Sequence, residues 1–186
     1  RARVGRLKYG YILADSLSGA GQAVGGYWRE VLTQTNDLLK IATDNNLLDQ
    51  PRATWEPSFG AAEEPGWGGG IERLGPCLYF IEGRAALEIA SLGGATSPEE
   101  LLEEAERSLL KVRQLDPAGV ETYYYLAQVV LQSGELAASR GALEQRDAAA
   151  KQAEEILAKG VEAAGDAPQA HINLVVRRFL TARVGY

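Results

Sequence analysis

Apolar residues recur every three or four positions on both sides of a stretch that cannot continue the pattern. Residues 51–76 hold four prolines (Pro51, Pro57, Pro65 and Pro76) and six glycines, with Gly68, Gly69 and Gly70 in a row. Before that stretch, Val4, Leu7, Tyr11, Ala14 and Leu17 form one stripe, and Val24, Trp28, Val31, Leu32, Leu38, Leu39 and Ala42 form another. Each spacing predicts an amphipathic helix. Ser18-Gly19-Ala20-Gly21 breaks the chain between them and Asn45-Asn46 offers the second a stop, so residues 1–50 are expected to be a helical hairpin.

After the stretch, the run from Leu78 to Ala90 is apolar on most faces and predicts a buried helix stopped at Gly93-Gly94. Ser97-Pro98-Glu99-Glu100 then places an N-cap serine, a proline at the first helical position and a glutamate at the third. The helix begun there carries Leu101, Leu102, Ala105, Leu109, Val112 and Leu115 on one face and ends at Asp116-Pro117. Another is expected from Glu121 to Ser133, ended by Gly134, and a further one through Ala153, Ile156, Leu157, Gly160, Val161 and Ala164, ended by Gly165. A last helix would follow Asp166-Ala167-Pro168 through Leu174 and Phe179. Val129-Val130-Leu131 is the best run of strand length, but it lies inside a helical pattern, so the fold class expected is all-α.

Charge and composition narrow the function. The 186 residues include 25 acidic and 19 basic side chains, a net charge of −6, which disfavours coating a nucleic acid. No run of 18 apolar residues is present to span a bilayer. Cys77 is the single cysteine, which excludes an internal disulfide framework and any multi-cysteine zinc site and leaves the compartment undetermined. With no methionine and Arg1 at the start, the sequence reads as a piece of a longer chain.

Two helical pairs then show a common spacing. Tyr123, Leu126, Ala127, Val130 and Gly134 match positions 4, 7, 8, 11 and 15 of a tetratricopeptide repeat, and Ala105, Leu109, Val112 and Pro117 match positions 20, 24, 27 and 32. Over residues 78–180 the chain resembles a tetratricopeptide-repeat protein. One repeat would run from Leu78 to Pro117 with Gly83 at position 8, a second from Tyr123 to about Gly165, and a third would begin near Ala170. Gly83 to Ala105 and Gly134 to Ala153 are both longer than the pattern allows, which implies lengthened helices or turns. The resemblance implies a short solenoid of stacked antiparallel hairpins over 77–186, without catalytic chemistry or a cofactor. Its first helices would line a concave face that binds a protein or peptide partner, and membership of a multi-subunit assembly would fit such a role.

Carried over residue by residue, that face would present Phe80, Arg84 and Leu87 from the first repeat and Tyr124, Gln128 and Leu131 from the second. Alternatively, Phe80, Leu87 and Tyr124 pack one hairpin against the next. Trp55 and Trp67 in the 51–76 linker are a second candidate, either as a recognition loop or as a flap covering the helices.

Other chemistry is thinly supported. His171 and Cys77 have no partners identifiable in sequence, and Gly19-Ala20-Gly21 with Gly25-Gly26 lacks the spacing of a phosphate loop. Glu99, Glu100, Glu103, Glu104 and Glu106 suit the first turns of a helix rather than a metal cage. Arg1, Arg3, Arg6 and Lys8 at one end, and Arg177, Arg178 and Arg183 at the other, serve solubility or docking to an acidic partner. Two functions are expected in this order: a non-catalytic interaction scaffold, then an all-helical enzyme or small-ligand domain with a pocket between the N-terminal hairpin, the linker and the repeats.

Overall fold

The structure, a computed structural model, describes residues 1–20, 24–55, 71–92 and 97–164. It is helical throughout, and no strand occurs among the described residues: α1 Ala2–Gly19, α2 Gly25–Asp44, α3 Leu74–Ser91, α4 Pro98–Leu115, α5 Val120–Ser139 and α6 Leu143–Ala164, with a 3₁₀ turn at Arg52–Thr54. None of these helices is long and apolar enough to cross a membrane. The expected helix beyond Pro168 and the third repeat near Ala170 lie outside the described residues. Two compact units, Arg1–Lys111 and Val112–Tyr186, divide the chain, with the boundary inside α4 rather than at the proline- and glycine-rich stretch.

In the first unit α2 packs against both α1 and α3. Its stripe buries Trp28, Val31, Thr35, Leu38, Leu39 and Ala42, while α1 contributes Val4, Leu7, Tyr11 and Ala14. Thr35 sits in this core because its hydroxyl donates to the Val31 carbonyl one turn back, at 2.7 Å, so its own polar group is satisfied. Asn46 ends α2 in the left-handed region, φ 55°, and lets the Leu47 amide return to the Ala42 carbonyl at 2.8 Å. The stop expected at Asn45-Asn46 is therefore where the helix ends.

From Asn46 the chain enters a narrow neck. The Arg52 amide donates to the Glu72 carbonyl at 2.6 Å, Leu74 to Gln50 at 2.9 Å and Gly75 to Leu48 at 2.7 Å, so residues 48–52 and 72–75 run antiparallel. Gly75 permits this approach, since a Cβ there would lie 2.8 Å from the Leu48 carbonyl oxygen. The neck admits α3 four residues earlier than the apolar run from Leu78 suggests. Pro76 is tolerated because a first-turn amide has no partner within the helix.

The α3 helix is buried nearly all round, as its composition predicts, and α4 begins at Pro98 and ends at Leu115, where its cap residues and Asp116-Pro117 place those boundaries. Gly83 sets the approach of the two helices: a Cβ on it would fall 2.7 Å from Leu109 Cγ and 3.1 Å from the Ala105 carbonyl oxygen.

The second unit is built on α5 and α6, which pack along their lengths. α5 buries Thr122, Tyr123, Leu126, Ala127, Val129 and Val130, and α6 buries Ala149, Ala153, Ile156 and Leu157. Gly134 does not end α5, as its type suggests, but lies inside it; the turn comes at Arg140–Ala142, with Gly141 at φ 94°. α6 starts ten residues ahead of Ala153, because Leu143–Gln152 is rich in alanine and glutamine, which favour helix without an apolar stripe to announce it.

Candidate functional site

The side chains expected on one concave face fall into two environments. Phe80 and Leu87 are enclosed in the core of the first unit, and Arg84 is only 8% exposed. These three do not present the open surface expected of them, because the N-terminal hairpin supplies the groups that α3 faces. On α5, Tyr124, Gln128 and Leu131 follow one another at helical spacing and are each half-buried. Gln128 Nε2 donates to the Tyr124 hydroxyl, and the Tyr124 ring meets Tyr125 edge-on at 5.1 Å between centroids. The hydrogen bond and the ring contact fix the phenol and the amide into one small polar and aromatic patch.

Arg84 holds a buried polar cluster in the first unit. Its guanidinium donates to the Tyr11 hydroxyl and to the Asp15 carboxylate of α1. It also lies over the Tyr11 ring at 5.0 Å and the Trp28 ring at 5.3 Å from the centroids. Tyr11 and Trp28 pack edge to face at 5.8 Å, and the Trp28 indole donates to Ser18 at 2.9 Å. Glu88, one turn after Arg84, completes an ion pair at 3.9 Å. Burial raises the Glu88 carboxyl above the ordinary carboxylate range; Arg84 opposes the rise and Asp15 adds to it. Sequence reasoning passed over this cluster. Its signal is two pairs one turn apart, Tyr11 with Asp15 and Arg84 with Glu88.

On α3 and α4 a second polar feature opens. Tyr79 and Glu82 face Glu104, Arg107, Ser108 and Lys111 across a groove of about 580 Å³. Ser108 Oγ donates to Glu82 Oε2 at 2.7 Å. Burial raises the Glu82 carboxyl; the Ser108 bond opposes that rise, Glu104 adds to it and Arg107 holds it down. Burial likewise raises the Tyr79 phenol, with Glu82 adding to it. Two carboxyls beside two cations, a phenol and a hydroxyl can make polar contacts of both signs, and among the described residues there is no imidazole to take a proton from Ser108.

Trp55 closes the 3₁₀ turn half-buried, its indole donating to Gln50 at 3.1 Å, and so sits at the mouth of the neck. Trp67, its partner in the expected recognition loop, lies outside the described residues, as does His171. Cys77 is fully enclosed in the first turn of α3, where a thiol has no access to a substrate. Among the described residues no group of three or more His, Cys, Asp or Glu side chains is placed to hold a metal ion. Compared with protein-family models, with curated proteins and with solved structures, the chain matches none of them.

Proposed function

We propose that the chain is a non-catalytic interaction scaffold of tetratricopeptide-like hairpins, which holds a protein or peptide partner and serves within a larger assembly. The observation that carries the reading is the α5 patch: Tyr124, Gln128 and Leu131 lie on one helix face, half-buried, with the amide and the phenol already joined. Aromatic area with a fixed hydrogen-bonding edge is what commonly anchors an interface, because little rotamer freedom remains to be lost on binding. The close helix crossings at Gly83 and Gly134 support the hairpin reading, since such repeats place small residues where paired helices meet.

The test is a pull-down from the source organism with the wild-type chain and with the Tyr124→Ala, Gln128→Ala double variant, the bound proteins identified by mass spectrometry. A partner recovered by the wild type should be held about tenfold less tightly by the variant, equivalent to roughly 1.4 kcal/mol, at unchanged helical content. Equal recovery removes the α5 patch from the reading.

A second reading, a small-ligand domain, rests on the groove that holds Glu82 and Ser108. A thermal-shift screen of small amphoteric compounds in which a stabilising hit is abolished by Glu82→Gln would favour it over the scaffold.

A further inference from the structure

The Arg84 guanidinium faces more negative charge than it can neutralise. Asp15 reaches it from α1 and Glu88 from its own helix, so one cation stands between two carboxylates, while the Tyr11 hydroxyl takes a further donor. Counted over the side chain alone, the three charged groups are unequally covered: Arg84 is 9% exposed, Glu88 27% and Asp15 48%. Asp15 and Tyr11 belong to α1 and accept hydrogen bonds, whereas Glu88, at 3.9 Å from Nε, competes for the same charge without tying α3 to another element. α2 contributes the Trp28 ring against which the guanidinium lies, and Arg84 and Asp15 are the charges that act on the Glu88 carboxyl.

We infer that Arg84 and Glu88 form a proton-sensitive staple on α1. When Glu88 takes up a proton, it no longer competes with Asp15 and Tyr11 for the charge of Arg84, and α1 is held to α3 more firmly in mildly acidic solution than in neutral solution. The direction follows from burial: a carboxyl whose folded value lies above its ordinary 4.5 binds its proton more tightly in the folded chain. The resulting stability is therefore complete below 4.5 and is lost as pH rises through the raised value. The staple needs no ligand, and it would couple the grip on the N-terminal helix to the acidity of the surroundings.

Amide hydrogen exchange in α1 tests this, read as protection relative to an unstructured chain at the same pH, for the wild type and for Glu88→Gln at pH 5.5 and pH 7.5. The wild type should gain protection in α1 on acidification by at least about threefold more than Glu88→Gln does, and the variant should be the better protected of the two at pH 7.5. Glu82 titrates alike in both proteins and cancels in the comparison. Asp15→Asn is the second variant: with one anion fewer around Arg84, its α1 protection should likewise lose the extra pH dependence. Equal pH responses in wild type and Glu88→Gln overturn the staple, as does a Glu88→Gln chain that is less protected at pH 7.5. An effect of equal size in α4 also overturns it, because it would mark general stabilisation of the unit and not a hold on α1.

Discussion

Gly134 and Ala149 define the crossing of α5 and α6: a Cβ placed on Gly134 would lie 2.5 Å from the Ala149 Cβ and 3.3 Å from the Arg146 Cα. The contacting atoms are a methyl and backbone, which cannot swing aside as the end of a long side chain could. Substituting Gly134→Ala gains about 1 kcal/mol of helix propensity. Forcing the helices apart costs typically 1–3 kcal/mol. The expected outcome is a lower urea midpoint for the variant, recovered in part when Ala149→Gly is added. A stabilised single variant would show that the helices are not in contact at this point.

Why Gly134 misleads when read from sequence is now physical. Glycine breaks helices when judged locally, yet here it is retained inside one because its missing side chain is what the neighbouring helix needs. The start at Ser97-Pro98 and the stop before Pro117 were legible because capping and proline geometry act within a few residues. The face presented by α3 was not. Phe80, Arg84 and Leu87 sit at one helical spacing whether that face meets solvent or the N-terminal hairpin, and the deciding groups, Tyr11 and Asp15, lie about seventy residues earlier in the chain. On α5 the same reasoning put Tyr124, Gln128 and Leu131 on one helix face, which depends only on the helix itself; that the face is half-buried is set by what packs beside it.

The paired neck predicts a stability that depends on the length of the loop it closes. Pro51 and Arg73 are already held opposite each other by bonds from Arg52 to Glu72 and from Leu74 to Gln50. Replacing residues 56–70 with six glycines and serines about halves the loop closed by the Arg52–Glu72 bond and, on loop-closure entropy alone, should raise stability by about 0.6 kcal/mol. Denaturant unfolding of the two chains checks it. A shortened chain that unfolds at lower denaturant would mean that the removed residues carry part of the core.

Glu82 gives a pH prediction of its own. Burial raises its carboxyl above 4.5, so the folded chain binds the proton more tightly than the unfolded chain between 4.5 and the raised value. Stability from this group is complete below 4.5 and falls as pH rises through that window. Glu82→Gln keeps an oxygen to accept the Ser108 bond and removes the charge. The variant should be more stable than the wild type at pH 7, and the difference should vanish on acidification below 4.5. A variant less stable than the wild type at neutral pH would show that the ionised carboxylate is compensated by Arg107 in full.

Replacing Arg84 separates the demand for charge from the demand for shape. The guanidinium meets two acceptors on α1 at once, the Tyr11 hydroxyl and the Asp15 carboxylate, while its flat face lies against the Tyr11 and Trp28 rings. A lysine in its place keeps the positive charge, but its ammonium is a point donor on a flexible stem, without the planar fork that serves both acceptors or the surface that stacks on the rings. Arg84→Lys should therefore cost on the order of 1–3 kcal/mol, the range for losing a hydrogen bond to a charged group and leaving a buried partner incompletely paired. Arg84→Ala should cost more, because Tyr11, only 1% exposed, then loses both the hydrogen bond from Arg84 and the packing of the arginine stem. Asp15 limits the excess, since at 48% exposure it can turn to water. Urea unfolding of the three proteins, followed by circular dichroism at 222 nm, gives the order wild type, Arg84→Lys, Arg84→Ala. A lysine variant as stable as the wild type would show that α1 is held by charge alone and that the fork geometry contributes nothing.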